Sequence, residues 1–258
     1  MITRINAEDN KEAWQVELAR AITDPAELFR HLQLNTSELP ATLAAHREFR
    51  LRVTETYLRN IEIGNSHDPL LLQILPLGNE VLPSPPDFRP DPVGDAQATR
   101  APGILHKYQG RVLLVTTGAC AIHCRYCFRR HYPYAESNAG RDQWQQAIDY
   151  LKHADDVDEV ILSGGDPLTL SDARLAELLD ILEAIPHLQT LRIHSRLPVV
   201  LPARITQALL HRLKSSRFKT VMVIHCNHAR VISKPVVGAL AALKRHDILL
   251  LNQAVLLR

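Results

Sequence analysis

Arg111-Val-Leu-Leu-Val-Thr-Thr-Gly-Ala-Cys120-Ala-Ile-His-Cys124-Arg-Tyr-Cys127 joins an apolar run to a tight group of thiols. The run Arg111 to Thr117 is nearly continuous in apolar residues, as expected of a strand buried on both faces. Four more runs follow: Glu159-Val-Ile-Leu-Ser163, Leu191-Arg-Ile-His-Ser195, Thr220-Val-Met-Val-Ile-His225 and Ile248-Leu-Leu-Leu-Asn252. They begin about 30 residues apart, near the length of a β-α repeat. Helical periodicity fills the gaps. Ser171 can cap a helix whose apolar face is Leu175, Leu178, Leu179 and Leu182. Ile205, Leu209, Leu210 and Leu213 form a second face, and Val236, Leu240 and Leu243 a third, opened by Ser233 and Pro235. Strands alternating with helices predict an α/β fold with a parallel sheet and right-handed crossovers. Five strands are too few to close an eight-stranded barrel, so a partial (β/α) TIM-like barrel is expected.

The chain before this core reads differently. Residues 1–81 are expected to be a helical region, with one run from Asn10 to Leu32 broken at Thr23-Asp24-Pro25 and a second helix from Leu43 to Ile61. These segments suggest packing rather than chemistry. Residues 82–103 are too rich in proline for a helix or sheet interior and read as an extended connector. The core is placed at 104–258. The whole chain has 258 residues, enough for one large barrel-type domain. Its 30 Lys and Arg balance 28 Asp and Glu, which gives no reason to expect a nucleic-acid or membrane-surface partner. No apolar run approaches the roughly 20 residues of a bilayer span, and the first ten residues lack the pattern of a secretory signal. A cytoplasmic location is the expectation.

Three of the four cysteines fall within eight residues, in the spacing C-x3-C-x2-C. A disulfide framework would spread them along the chain, so a group this tight points to metal ligation. The fourth, Cys226, reads as a core thiol. Cys120, Cys124 and Cys127 follow a buried strand, at the edge where ligand sites of α/β folds collect. Three thiolates can bind three irons of a cubane cluster and leave one iron open. A zinc-stabilised binding module is the reading from another class; His123, His131 or Cys226 would then complete the site. Ser163-Gly-Gly-Asp166-Pro follows the next strand. Its glycines let backbone approach a ligand closely, and Asp166 can accept from an ammonium, although the same residues also make a plain turn.

Taken together, these residues resemble the radical S-adenosylmethionine (SAM) enzymes, with Tyr126 at the aromatic position before the last cysteine. Further segments narrow the match: Cys127-Phe-Arg129-Arg130-His, His194-Ser-Arg196-Leu-Pro-Val-Val-Leu-Pro, His225-Cys-Asn-His228 and Leu251-Asn-Gln253. With Asp68-Pro-Leu-Leu-Leu-Gln-Ile-Leu-Pro and His106-Lys-Tyr-Gln-Gly-Arg111, they are similar to the lysine 2,3-aminomutase family over roughly residues 60–258. The resemblance implies an isomerase with a [4Fe–4S] cluster, SAM and pyridoxal 5′-phosphate (PLP), acting on L-lysine. The Cys-Arg-Tyr-Cys-Phe-Arg-Arg-His variant resembles the bacterial branch that makes (R)-β-lysine, which implies a functional link to elongation factor P and its lysyl ligase.

By that resemblance, Cys120, Cys124 and Cys127 hold the cluster, and Arg129 grips the substrate α-carboxylate, against the plainer reading of a solvated loop charge. Arg111 lies near the PLP, and Gly164, Gly165 and Asp166 hold the SAM amino group. Ser195, His225 and Gln253 are further SAM or PLP candidates, each equally readable as a satisfied buried polar group. Arg196 and His228 read as structural groups, or as residues that support the site from behind those that line it. In the family the lysine that anchors PLP, and the acidic residues for the substrate ε-ammonium, lie C-terminal to the barrel. None of Lys107, Lys152, Lys214, Lys219, Lys234 and Lys244 matches that lysine, so the 258 residues are expected to be C-terminally incomplete and inefficient in isomerisation. A radical SAM aminomutase for another amino acid stays open, as does the oligomeric state, a homo-oligomer included.

Overall fold

The computed structural model describes residues 12–83, 86–134 and 141–257. Asn10 and Lys11 of the expected first helix, Ser84 and Pro85 of the connector, and Arg258 lie outside them. The leader contains α1 (Ala13–Ala19), α2 (Pro25–Leu32), α3 (Leu39–Glu48) and the single turn α4 (Glu55–Leu58). The break before α2 falls at the expected Asp24-Pro25. There the Asp24 carboxylate caps the Ala26 N–H at 2.9 Å, and proline occupies the first turn, where its missing N–H is harmless.

The expected helix from Leu43 to Ile61 is overturned. It ends at Phe49, and Leu51 to Val53 run extended. Ile22 and Val53 exchange backbone hydrogen bonds at 2.8 and 3.0 Å, while Leu51 and Val53 are buried. Tertiary pairing thus outweighs a weak helical propensity. One consequence is functional: the carbonyls of Phe49, Arg50 and Arg52, which a helix would have occupied internally, stay free to accept from elsewhere.

After the short turn α5 (Asp95–Ala98) come β1 (Thr99–Ala101), β2 (Ile104–Tyr108) and β3 (Arg111–Thr117). The first two strands pair antiparallel and were not expected. Pro102-Gly103 and Gln109-Gly110 turn the chain, with both glycines at positive φ, 78° and 80°. The remainder alternates as read from the sequence: α6 (Arg141–His153), β4 (Glu159–Gly164), α7 (Asp172–Glu183), β5 (Thr190–Ser195), α8 (Leu197–Val200), α9 (Gln207–Lys214), β6 (Lys219–Ile224), α10 (Lys234–Arg245) and β7 (Leu249–Asn252). The seven strands lie side by side in chain order, and β3 to β7 are parallel. This is the partial barrel, open between β1 and β7.

Ser171 caps α7, accepting from the Arg174 N–H at 3.3 Å, and Leu175, Leu178, Leu179 and Leu182 are all buried. On β5, Leu191, Ile193 and Ser195 are buried, whereas Arg192 and His194 lie on the opposite, inner face. On this strand the inward face is polar, whereas β2, β3 and β4 bring Leu105, Leu113 and Ile161 to the same cavity. One continuous apolar core runs from Trp14 to Ile248 and includes leader and barrel alike. No helix among the described residues is long and apolar enough to cross a membrane.

Asp68 latches the leader to the barrel. Its side chain is 0% exposed; it accepts from the Glu62, Leu70 and Leu71 N–H groups and from Arg230, which follows β6. Replacing it with alanine strands three backbone donors. Asp68→Ala should lose about 2–4 kcal/mol of stability in equilibrium urea unfolding; an unchanged midpoint would mean the latch carries no weight.

Candidate active site

Because β3 to β6 are parallel, their C-terminal ends deliver four segments to one edge. These are the cysteine loop, Gly164-Gly165-Asp166, Ser195-Arg196 and His225. A cavity of about 410 Å³ opens there and extends over the inner face of the sheet. It is lined by ten of the eleven residues expected at the site: the three cysteines, Arg111, Arg129, Gly164, Gly165, Asp166, His225 and Gln253. Ser195 is the exception. It is 1% exposed, and its hydroxyl donates to Asp166 Oδ1 at 2.7 Å and accepts from the Leu197 N–H at 3.0 Å.

The cysteine loop is held from outside. The Gln73 carbonyl accepts from the Arg125 N–H at 2.9 Å, and the Arg52 carbonyl from the His123 N–H at 2.9 Å. His123 Nδ1 lies 2.9 Å from the Arg50 carbonyl, and Arg125 Nη1 donates to Phe49 O at 2.8 Å. The Phe49 ring stacks on His123 at 5.3 Å and lies under the guanidinium groups of Arg125 and Arg130. Glu80 takes both arginines: Arg125 through two nitrogens and Arg130 Nη1 at 3.0 Å. Burial pushes the Glu80 carboxyl up, but these arginines and the Leu77 N–H outweigh it and hold it below the usual value. The leader, expected only to pack, thus braces the cysteine loop from outside. Nothing local in the sequence marks Glu80 or Gln73 for this, because their partners lie about 45 to 120 residues away.

The glycine pair serves the same loop. Gly164 sits at φ 116°, and a Cβ there would run into the Thr117 carbonyl oxygen; one on Gly165 would run into Ala119 O. Instead the Gly165 N–H donates to Thr117 O at 2.7 Å, and the Asp166 N–H to Ala119 O at 2.8 Å. The close approach is to the backbone of the cysteine loop. The Asp166 carboxylate receives Ser195 Oγ, and the N–H groups of Leu168, Arg196 and Leu197, at 2.7 to 3.2 Å. Burial raises it to about 6, against the lowering effect of those four donors.

Arg129 is buried, and its orientation is fixed. Nε donates to Asp95 Oδ2 at 2.7 Å and Nη1 to Ser163 Oγ at 3.1 Å, while Nη2 has no hydrogen-bond partner among the described residues. Asp95 also binds Lys107. Two cations share one buried carboxylate, so the trio keeps a net positive charge at the cavity wall. Arg111 sits at the other end of the cavity, 49% exposed, 3.8 Å from Glu159. His194 and His225 pack edge to face at 5.9 Å, and His225 Nε2 is buried without a partner among the described residues. Burial, and then positive neighbours, lower both rings to about 4.

The donor set fits a cubane cluster rather than one metal ion. No three Cys, His, Asp or Glu side chains among the described residues come together closely enough to hold a single ion, whereas a cubane takes each thiolate on a different iron. Burial raises Cys120 well above the usual thiol value, and neighbouring Asp166 and the other two cysteines raise it further; Cys127 is raised likewise. A cationic iron–sulfur core supplies the charge that makes these thiolates stable. The orphaned Asn227 Nδ2, a donor, and His225 Nε2, a donor or acceptor by tautomer, are left for a polar small molecule in the same cavity.

Residues 114–224 match the model of the Radical SAM superfamily. The chain is 46% identical over 250 residues to the L-lysine 2,3-aminomutase of Escherichia coli (strain K12), covering 96% of this chain and 72% of that one. It is 44% identical over 248 residues to the L-lysine 2,3-aminomutase of Haemophilus influenzae, covering 96% and 73%. The L-lysine 2,3-aminomutase of Buchnera aphidicola is 40% identical over 259 residues, with 100% and 76% covered.

The histidine pair predicts an acid sensitivity. A ring with its pKa lowered from 6.5 to about 4 is neutral in the fold and binds a proton more readily when unfolded. Its contribution to stability is therefore present above pH 6.5 and is lost as the pH falls towards 4. Asp166 acts in the opposite sense, so a difference measurement is needed. His225→Gln should lose less stability than the unaltered protein between pH 6.5 and 4 in urea unfolding; parallel curves would show that the ring is not buried neutral.

Proposed function

The chain belongs to the lysine 2,3-aminomutase family of radical SAM isomerases, and from that premise we propose that it moves the α-amino group of L-lysine to C3. The single observation that carries this reading is that the three cluster thiols and the Arg129 guanidinium face one cavity. When bound, the cluster and SAM supply one-electron cleavage and hydrogen-atom abstraction, and PLP supplies a π-system for nitrogen migration. The chain's own residues hold and orient.

Cys120, Cys124 and Cys127 would take three irons, leaving the fourth for SAM. Arg129 would take the substrate carboxylate. Its Nη2 and the second N–H of Nη1 form one edge of a planar fork, suited to two parallel bonds. Asp95 holds Nε and Ser163 takes one N–H of Nη1, so the guanidinium is oriented before substrate arrives. Lys107 offsets the Asp95 charge, which leaves Arg129 attractive to an anion. The barrel's inner wall, with Leu105, Leu113 and Ile161, would keep water from the reacting carbons. Arg111 is the residue for the PLP phosphate, being a cation at the open end of the cavity. The Cys-Arg-Tyr-Cys-Phe-Arg-Arg-His pattern supports a finer reading: the product is (R)-β-lysine for elongation factor P, attached by a separate lysyl ligase.

Three outcomes are expected. Cys124→Ala should abolish reductive cleavage of SAM to methionine, measured anaerobically with dithionite; unchanged cleavage sinks the cluster assignment. Arg129→Met should weaken lysine binding by roughly ten- to a hundredfold, the worth of a charge-assisted contact, with iron content retained. Equal affinity would remove Arg129 from the substrate. Turnover by these 258 residues is expected to be inefficient, but any β-lysine formed should be the (R) enantiomer by chiral chromatography, and an (S) product would contradict the elongation factor P reading.

A further inference from the structure

The sequence leaves Arg196 as a structural or supporting group, and its surroundings give it a specific task. It follows β5 and is 6% exposed. Its backbone N–H is held by Asp166 Oδ2 at 2.7 Å. Nη2 donates to Gln73 Oε1 at 2.7 Å and to the Tyr57 hydroxyl at 3.4 Å. The guanidinium lies near the faces of two rings, Tyr57 at 5.3 Å and Tyr126 at 5.6 Å. Nη1 points at Cys124 Sγ, 2.7 Å away.

What is missing is a carboxylate. Among the described residues no Asp or Glu side chain forms an ion pair with Arg196, and Asp166 meets only its backbone N–H. A guanidinium stays charged at any working pH, and a buried charge needs an opposite one. Two ionisable groups lie within hydrogen-bond reach, the Tyr57 hydroxyl and the Cys124 sulfur; burial keeps the hydroxyl protonated, which leaves the sulfur as the anionic partner.

We propose that Arg196 is a positioning residue for the cluster, holding the Cys124 thiolate and raising the reduction potential of the iron–sulfur centre that this thiolate ligates. The inference rests on the cluster reading above. Reduction adds one electron, from an external one-electron donor such as dithionite, and leaves the cluster one unit more negative. No proton need move, because Arg196 is already charged. A fixed positive charge and an N–H···S hydrogen bond both favour the more negative state, so they ease electron uptake. Gln73 and the two tyrosines matter because they keep the guanidinium on the sulfur. This gives the leader a second task, reaching through Gln73 and Tyr57 to the redox centre.

The test uses the full chain, reconstituted anaerobically with iron and sulfide and without SAM. EPR-monitored titration with dithionite is run on the unaltered protein, Arg196→Lys, Arg196→Met and Gln73→Met. Iron and acid-labile sulfide are assayed in each. Arg196→Met should retain cluster but be harder to reduce. At the potential that half-reduces the unaltered protein, its ratio of reduced to oxidised cluster should be roughly tenfold lower, about 59 mV for a one-electron couple. Arg196→Lys and Gln73→Met should move the same way by less. A filled Arg196→Met cluster with unchanged potential overturns the proposal. If Arg196→Met does not fold or fill, Gln73→Met decides, and a potential equal to that of the unaltered protein overturns it. An unaltered chain that takes up no iron and sulfide contradicts the cluster reading itself.

Discussion

A loop that must hold three thiols apart cannot also satisfy its own backbone. Within the cysteine loop the Cys127, Arg130 and Tyr132 N–H groups find acceptors in the loop itself, the carbonyls of Cys124, Cys127 and Arg129. The other bonds that shape it come from the leader and from the end of β4. Buried donors left without acceptors cost about 1–3 kcal/mol each, so the loop has its shape only while those neighbours are in place. This explains why Phe49 to Val53 are extended rather than helical. Their carbonyls belong to His123 and Arg125. It also explains the paired glycines at 164 and 165, which let β4 press against Thr117 and Ala119.

The same edge concentrates buried cations, and each is matched differently. Arg125 and Arg130 share Glu80. Arg129 and Lys107 share Asp95. Arg196 has a sulfur. The first arrangement keeps the same single positive charge, but Arg125, Arg130 and Glu80 do not line the cavity, so it stiffens the loop from behind. The second leaves a positive balance facing the cavity, which an incoming carboxylate can use. The third leaves a charge whose natural partner is a metal-bound thiolate. Four arginines at the site, Arg125, Arg129, Arg130 and Arg196, therefore do three different things, and their partners rather than their residue type decide which.

Sequence made the barrel readable because buried parallel strands carry a strong local signal. All five expected runs are strands, and the Leu175 to Leu182 face of α7 is buried as its spacing requires. The pair β1 and β2 was missed: three and five residues leave little periodicity, and the Pro102-Gly103 and Gln109-Gly110 turns were the usable clue. Leu43 to Ile61 misled because its composition suits a helix, while Val53 gains more from pairing with Ile22. At the site, the cysteines and the Gly-Gly-Asp turn were legible as local motifs. Asp95, Glu80, Gln73 and the true setting of Arg196 were not, since each acquires its role from a partner about 30 to 125 residues away.

At the centre of this account is a cubane cluster on three cysteines with one iron left for SAM. The most direct measurement is the EPR spectrum of the anaerobically reconstituted, dithionite-reduced protein, recorded before and after adding SAM. A cluster with one open iron should give a reduced-cluster signal that changes shape when SAM binds there. A colourless protein that keeps only zinc, or a cluster signal indifferent to SAM, would contradict it.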